Sequence, residues 1–154
     1  MNENMVEKVK KILEGIVAGK PVYESCGITP DGVEAVYSLG YTYYQVGRLE
    51  EAESLFRFTM VMHSLETKYG YAYASTLQAE RKFAEAEKVY CAILPIDVAN
   101  PALYNGIAEC RISLGNKKGA QEALEALVKM VKPDTPERKA AVEKAERMIK
   151  GLKS

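Results

Sequence analysis

The residue types that make and break bonds are scarce in this chain and poorly spaced for doing so. There is one histidine, His63, and no serine or cysteine stands at a readable spacing to serve as its nucleophile. Paired acids such as Glu50-Glu51 read as exposed helix positions. Cys26, Cys91 and Cys110 are odd in number, lack C-x-x-C spacing and have only His63 to help them, so zinc is not expected and reduced thiols fit best. No glycine-rich phosphate loop is present. The chain is therefore expected to be no enzyme and to hold no cofactor and no metal. What it has in quantity is tyrosine, ten in all. A tyrosine ring offers rigid apolar area, and its hydroxyl can bond to a backbone laid against it. That is the chemistry of binding.

Composition narrows the binding partner. Hydrophobic residues at 47% and charged residues at 27% are ordinary for a soluble globular protein. Basic and acidic residues balance at 21 each, so no global field draws the chain to nucleic acid or to an anionic membrane. From Lys129 to Ser154 eight basic residues face four acidic ones, which reads as the solvated face of a terminal helix. No stretch approaches the ~18–20 apolar residues of a membrane span. The opening Met1-Asn2-Glu3-Asn4 lacks the order of a secretory signal. A single cytoplasmic domain over residues 1–154 is expected.

The elements that must position the tyrosines are set by a period. Ala52, Ala86 and Ala120 stand 34 residues apart, and Leu39-Gly40, Tyr73-Ala74 and Ile107-Ala108 coincide at the same spacing, as do Phe56, Tyr90 and Leu124. This is the signature of the tetratricopeptide repeat (TPR), a helical hairpin that stacks on copies of itself. The expected fold is all-α: three stacked TPR hairpins at 33–66, 67–100 and 101–134, with an extra N-terminal helix in 1–20 and a C-terminal capping helix in 135–154. The N-terminal segment places Met5, Val6, Val9, Ile12, Leu13, Ile16 and Val17 on one stripe, with charges opposite. Gly19-Lys20-Pro21 ends it, and a loop is expected as far as Ile28. Thr29-Pro30-Asp31 and Thr135-Pro136-Glu137 each read as a helix start, with a Thr cap, Pro at the first position and an acid near the positive end of the dipole. Tyr43, Tyr73 and Tyr90 fall at core positions of the repeat.

Resemblance to TPR arrays implies a concave face lined by the first helix of each hairpin, at repeat positions 2, 5, 9 and 12. These are Glu34, Tyr37, Tyr41 and Tyr44 in the first repeat. In the second they are Lys68, Tyr71, Ser75 and Gln78, and in the third Ala102, Asn105, Glu109 and Ile112. The face begins as a wall of tyrosines and turns polar towards the C-terminus. Tyr37, Tyr41, Tyr44, Tyr71, Ser75, Gln78, Asn105 and Glu109 are the candidate peptide-binding residues.

The run Val36-Tyr37-Ser38-Leu39-Gly40-Tyr41-Thr42-Tyr43-Tyr44-Gln45-Val46-Gly47-Arg48-Leu49-Glu50-Glu51-Ala52-Glu53 resembles the first repeat of the class II type III secretion chaperones, as do Leu55-Phe56-Arg57-Phe58 and Gly106-Ile107-Ala108-Glu109-Cys110. The resemblance covers roughly residues 28–130. It implies a cytoplasmic bacterial protein whose groove holds an extended segment of a hydrophobic secreted translocator, keeping it soluble and competent for export. It also implies a homodimer formed through the N-terminal region, which places Val6, Val9, Leu13 and Ile16 at the interface. The second repeat matches the family loosely, and Thr59-Met60-Val61-Met62-His63-Ser64 lacks the cysteine and aspartate often found there. A general TPR adaptor in bacterial envelope or pilus assembly would share every repeat feature. The first-repeat tyrosines and the N-terminal helix favour the chaperone.

Overall fold

A computed structural model describes residues 3–154. Met1 and Asn2, which the expected N-terminal segment also took in, lie outside the described residues. The described residues form helices joined by short turns, with no strand among them. They gather into two compact units, one ending at Gly70 and the other running from Tyr71 to Ser154.

The first unit holds α1 (Glu3–Val17), α2 (Val22–Ser25), α3 (Pro30–Gln45), α4 (Leu49–Met62) and the opening residues of α5 (Thr67–Ala79). Its centre is the α3–α4 hairpin. Thr29 caps α3 by accepting from the Gly32 amide at 3.1 Å, and Pro30 fills the first helical position. The two helices close where Gly40 faces Phe56: a Cβ at Gly40 would come within 2.8 Å of the ring and 3.3 Å of Leu55 Cβ. Ala52, Phe56 and Val33 are buried there. The segment between α1 and α3 differs from the expected loop. Pro21 fixes φ at −60° and Val22–Ser25 wind into one helical turn, closed by the Cys26 amide donating to the Val22 and Tyr23 carbonyls.

The second unit completes α5 and adds α6 (Phe83–Ile93), a short 3-10 turn (Leu94–Ile96), α7 (Pro101–Ser113), α8 (Lys117–Met130) and α9 (Pro136–Lys153). Its core is continuous. Ala74, Leu77, Ala86, Tyr90, Ile93, Leu103, Ile107, Ala108, Ala120, Leu124 and Leu127 are all buried in one cluster. α9 closes it with Ala145, while Val142, Met148, Ile149 and Leu152 pack alongside, as an end cap on a helical-repeat core must. Gly106 permits the close approach of α6 and α7, since a Cβ there would sit 2.5 Å from the Tyr90 ring.

The hairpin turns show one chemical exception. Gly47 and Gly115 take positive φ values of 79° and 77°, which glycine does without penalty. At the corresponding place between α5 and α6 stands Arg81, with φ 64°. Its Cβ crowds the backbone there, at a cost of about 1–2 kcal/mol.

Candidate peptide-binding faces

Each unit presents the first-helix residues singled out above, and the two faces are built differently. In the first unit α3 carries Tyr37, Tyr41 and Tyr44 at spacings of four and three, which a helix brings to one side. Tyr41 is 50% exposed, and Tyr37 and Tyr44 are half-buried. Tyr37 is the hub. Its ring centroid lies 6.5 Å from Tyr41, 5.5 Å from Phe56 and 5.3 Å from Tyr69. The ring contacts continue from Tyr69 to His63 at 6.1 Å and from His63 to Tyr23 at 5.3 Å. These separations suit edge and tilted aromatic pairing. Tyr44 joins no ring pair among the described residues.

Glu34 and Lys68 do not stand as separate contact points on this face. They bind each other at 2.8 Å, and Tyr69 donates its hydroxyl to the same Glu34 oxygen at 2.9 Å. The Lys68 ammonium also lies over two rings, 5.3 Å from Tyr37 and 5.1 Å from Tyr69. The hydrogen bonds from Lys68 and then Tyr69 hold the Glu34 carboxyl below the usual carboxylate range. The bond to Glu34 raises Lys68 above the ordinary ammonium value. Burial, reinforced by the phenol's own hydrogen bond to Glu34, pushes the Tyr69 phenol up. All three effects keep the side chains in their present protonation states near neutrality.

In the second unit the face is a hydrogen-bonded chain. Tyr71 is 39% exposed, and its ring lies 5.8 Å from Tyr90. The Tyr90 hydroxyl is 3.1 Å from Ser75 Oγ and donates to Gln78 Oε1 at 3.0 Å. Gln78 in turn donates through Nε2 to Glu109 Oε2 at 2.9 Å. Ser75, Gln78 and Glu109 are therefore linked. Asn105, one turn before Glu109 on α7, is half-buried, with an Oδ1 that has no partner. Burial raises the Tyr90 phenol, so it remains a donor.

One residue departs from its sequence reading, one carries a polar role beyond it, and one was missed. Tyr90 is buried as a core residue, yet its hydroxyl organises the polar chain. Tyr43, read as core, is only half-buried and lies under the Arg48 guanidinium at 4.6 Å. Arg48 is itself bound to Glu51 at 2.6 Å, which fixes it on the solvent side of that ring. Tyr69, passed over because it falls outside the groove positions, is the buried neighbour that anchors the first face. The predicted interface residues Val6, Val9, Leu13 and Ile16 lie on α1 with exposures between 46% and 57%.

These hairpins have the fold of the tetratricopeptide-repeat proteins, and a model described as tetratricopeptide repeat matches residues 33–64. Within that class the chain is similar to chaperones of type III secretion. The chaperone protein SicA of Salmonella typhimurium is 23% identical over 139 residues, covering 88% of this chain and 83% of SicA. A type III secretion complex from Aeromonas hydrophila contains a chain with the same fold, at TM-score 0.84 and 23% identity, covering 92% of this chain and 94% of that one. SycD, the type III secretion chaperone of Yersinia enterocolitica, superposes at TM-score 0.75 with 23% identity over 81% of this chain and 95% of its own. That SycD structure is a complex with a peptide of the translocator YopD, and another SycD structure is described as an alternative dimer.

Proposed function

We propose that this chain is a bacterial cytoplasmic chaperone of type III secretion. It acts by binding rather than catalysis, holding an extended segment of a hydrophobic translocator and keeping it soluble until export. The observation that carries this reading is the α3 face, where Tyr37, Tyr41 and Tyr44 share one side of a helix and Tyr41 stays half open to solvent. Similarity to a chaperone seen with a translocator peptide supports it. Covering such rings contributes ~1–2 kcal/mol each. The three rings on α3 together contribute about 3–6 kcal/mol, which offsets part of the cost of association. A client with membrane-inserting segments would otherwise aggregate. The sequence offers no nucleotide loop, so release follows from competition at the secretion machine.

The exposed α1 stripe of Val6, Val9, Leu13 and Ile16 supports self-association as a homodimer. For the client, the test is purification of the protein from its own bacterium. One apolar, membrane-active protein should accompany it. Tyr41→Ala combined with Tyr44→Ala should lose that client while helicity and melting stay as in the parent. A collapse of the fold would assign those rings to the core instead.

A further inference from the structure

The α7 face of the second unit carries two acceptor atoms, Asn105 Oδ1 and Glu109 Oε1, that no donor among the described residues reaches. Gln78 is held at both ends, by the Tyr90 hydroxyl and by Glu109 Oε2, so its rotamer is locked and the carboxylate is positioned by it. No protein donor reaches Glu109 Oε1 among the described residues. One turn away, Asn105 Oδ1 is sealed from solvent without a partner. A buried acceptor left in this state costs ~1–3 kcal/mol, and native proteins rarely keep one without a use for it. Nearby polar groups on the same helices are spent internally: Thr76 donates to the Ala72 carbonyl at 2.8 Å, and Tyr104 to the Val98 carbonyl at 2.8 Å. Asn105 and Glu109 are the exceptions, and they lie on one face of α7.

We infer that Asn105 and Glu109 together take an N–H donor from the bound segment and thereby fix its register on the second unit. This rests on the peptide-binding reading above and adds a requirement to it: a donor on the segment that lies against the second unit. Asn105 is only half-buried, and a turn about the broad terminal torsion of asparagine would bring its Oδ1 out to such a donor. Glu109 is met so far by a neutral amide alone. It therefore gains more from a charged donor than from a neutral one. The donor is either a lysine or arginine side chain or a backbone amide.

The experiment uses the full chain and a phage-displayed library of random 12-residue peptides as probe. Peptides selected on the parent should bind Asn105→Ala and Glu109→Gln at least tenfold more weakly. The melting temperature of Asn105→Ala should not fall, because the substitution deletes an unsatisfied acceptor. If the donor is a side chain, one position of the selected peptides is fixed as Lys or Arg. Replacing it with norleucine then weakens the parent's binding but not that of Glu109→Gln. If the donor is backbone, no basic residue is fixed, and methylating a single peptide nitrogen has the same selective effect. Equal affinity for all three proteins, or unfolding of Asn105→Ala, overturns the inference. If binding is then still lost by Tyr41→Ala with Tyr44→Ala, the peptide-binding reading survives. A library that yields no binder to the parent overturns both.

Discussion

The two units use the same kind of hairpin to opposite ends. The second gathers most of its apolar residues into one continuous core closed by α9, leaving Tyr71, Ile96, Val98, Ile112, Leu114 and Met130 exposed. The first leaves large apolar groups in contact with water: Met5, Val6, Val9, Leu13, Ile16 and Val17 on α1, Leu39 and Tyr41 on α3, and Leu65 after α4. Apolar surface that is not used to stabilise a unit is available for association. The larger share of exposed apolar groups lies on the first unit, and under the function proposed above that surface serves contact.

The strongest way to break this comparison is to place a charge in the second core. Ala86 is fully buried, and Ala86→Glu puts an unpaired carboxylate there at a cost expected to exceed about 4 kcal/mol. Circular dichroism should show that the second unit no longer folds cooperatively; a melting temperature within a few degrees of the parent would refute the packing. The equivalent assault on the first unit's stripe should do the reverse. Val9→Asp with Leu13→Asp alters exposed positions, so melting should change by less than about 1 kcal/mol. Sedimentation should nevertheless show a dimer reduced to a monomer, and an unchanged mass would remove α1 from the interface.

Smaller effects sharpen the picture. Arg81→Gly relieves a left-handed arginine but adds chain entropy to the unfolded state, for a net gain of about 0.5–1 kcal/mol. Gly47→Arg, at the matching turn of the first unit, should lose a similar amount. Thermal melts of the two variants in opposite directions would confirm that the turns are equivalent. Glu34→Gln tests the pair with Lys68, whose side chains are nearly half exposed, so only a few tenths of a kcal/mol are expected. The sign with pH is fixed by the lowered Glu34 carboxyl. Its contribution is present above the ordinary carboxylate range and is lost as pH falls through the lowered value. Parent and variant should therefore melt alike in strong acid and differ near neutrality.

The sequence discloses some of this architecture directly. A period of 34 with small residues at Gly40, Ala52, Ala74, Ala86, Ala108 and Ala120 implies close helix pairs, and all six positions are buried. Thr29 and Thr135 cap their helices as the Thr-Pro-acid runs require. A repeat position, however, says where a side chain points and not what its polar atoms will meet. Tyr90 belongs to the core by position, but a buried hydroxyl needs partners, and Ser75 and Gln78 supply them from a helix that the pattern treats separately. The Glu34–Lys68 pair was readable in principle, since both stand at position 2 of their repeats and carry opposite charge. Tyr69 gave no such signal. The turn at Val22–Ser25 was invisible because four residues are too few to show a helical period.

Gly15 is the one buried residue of α1. Ser25 is so near that a Cβ on residue 15 would meet its Oγ at 2.6 Å. The helix is therefore held close to Ser25 at Gly15, while Val6, Val9, Leu13 and Ile16 stay exposed. Fifteen residues are marginal as a lone helix in water. Under the self-association proposed above, the order of this segment follows mass action. Dilution should then melt α1 ahead of the rest, so the freshly made, sparse protein and the accumulated one would differ in how much of their N-terminus is folded.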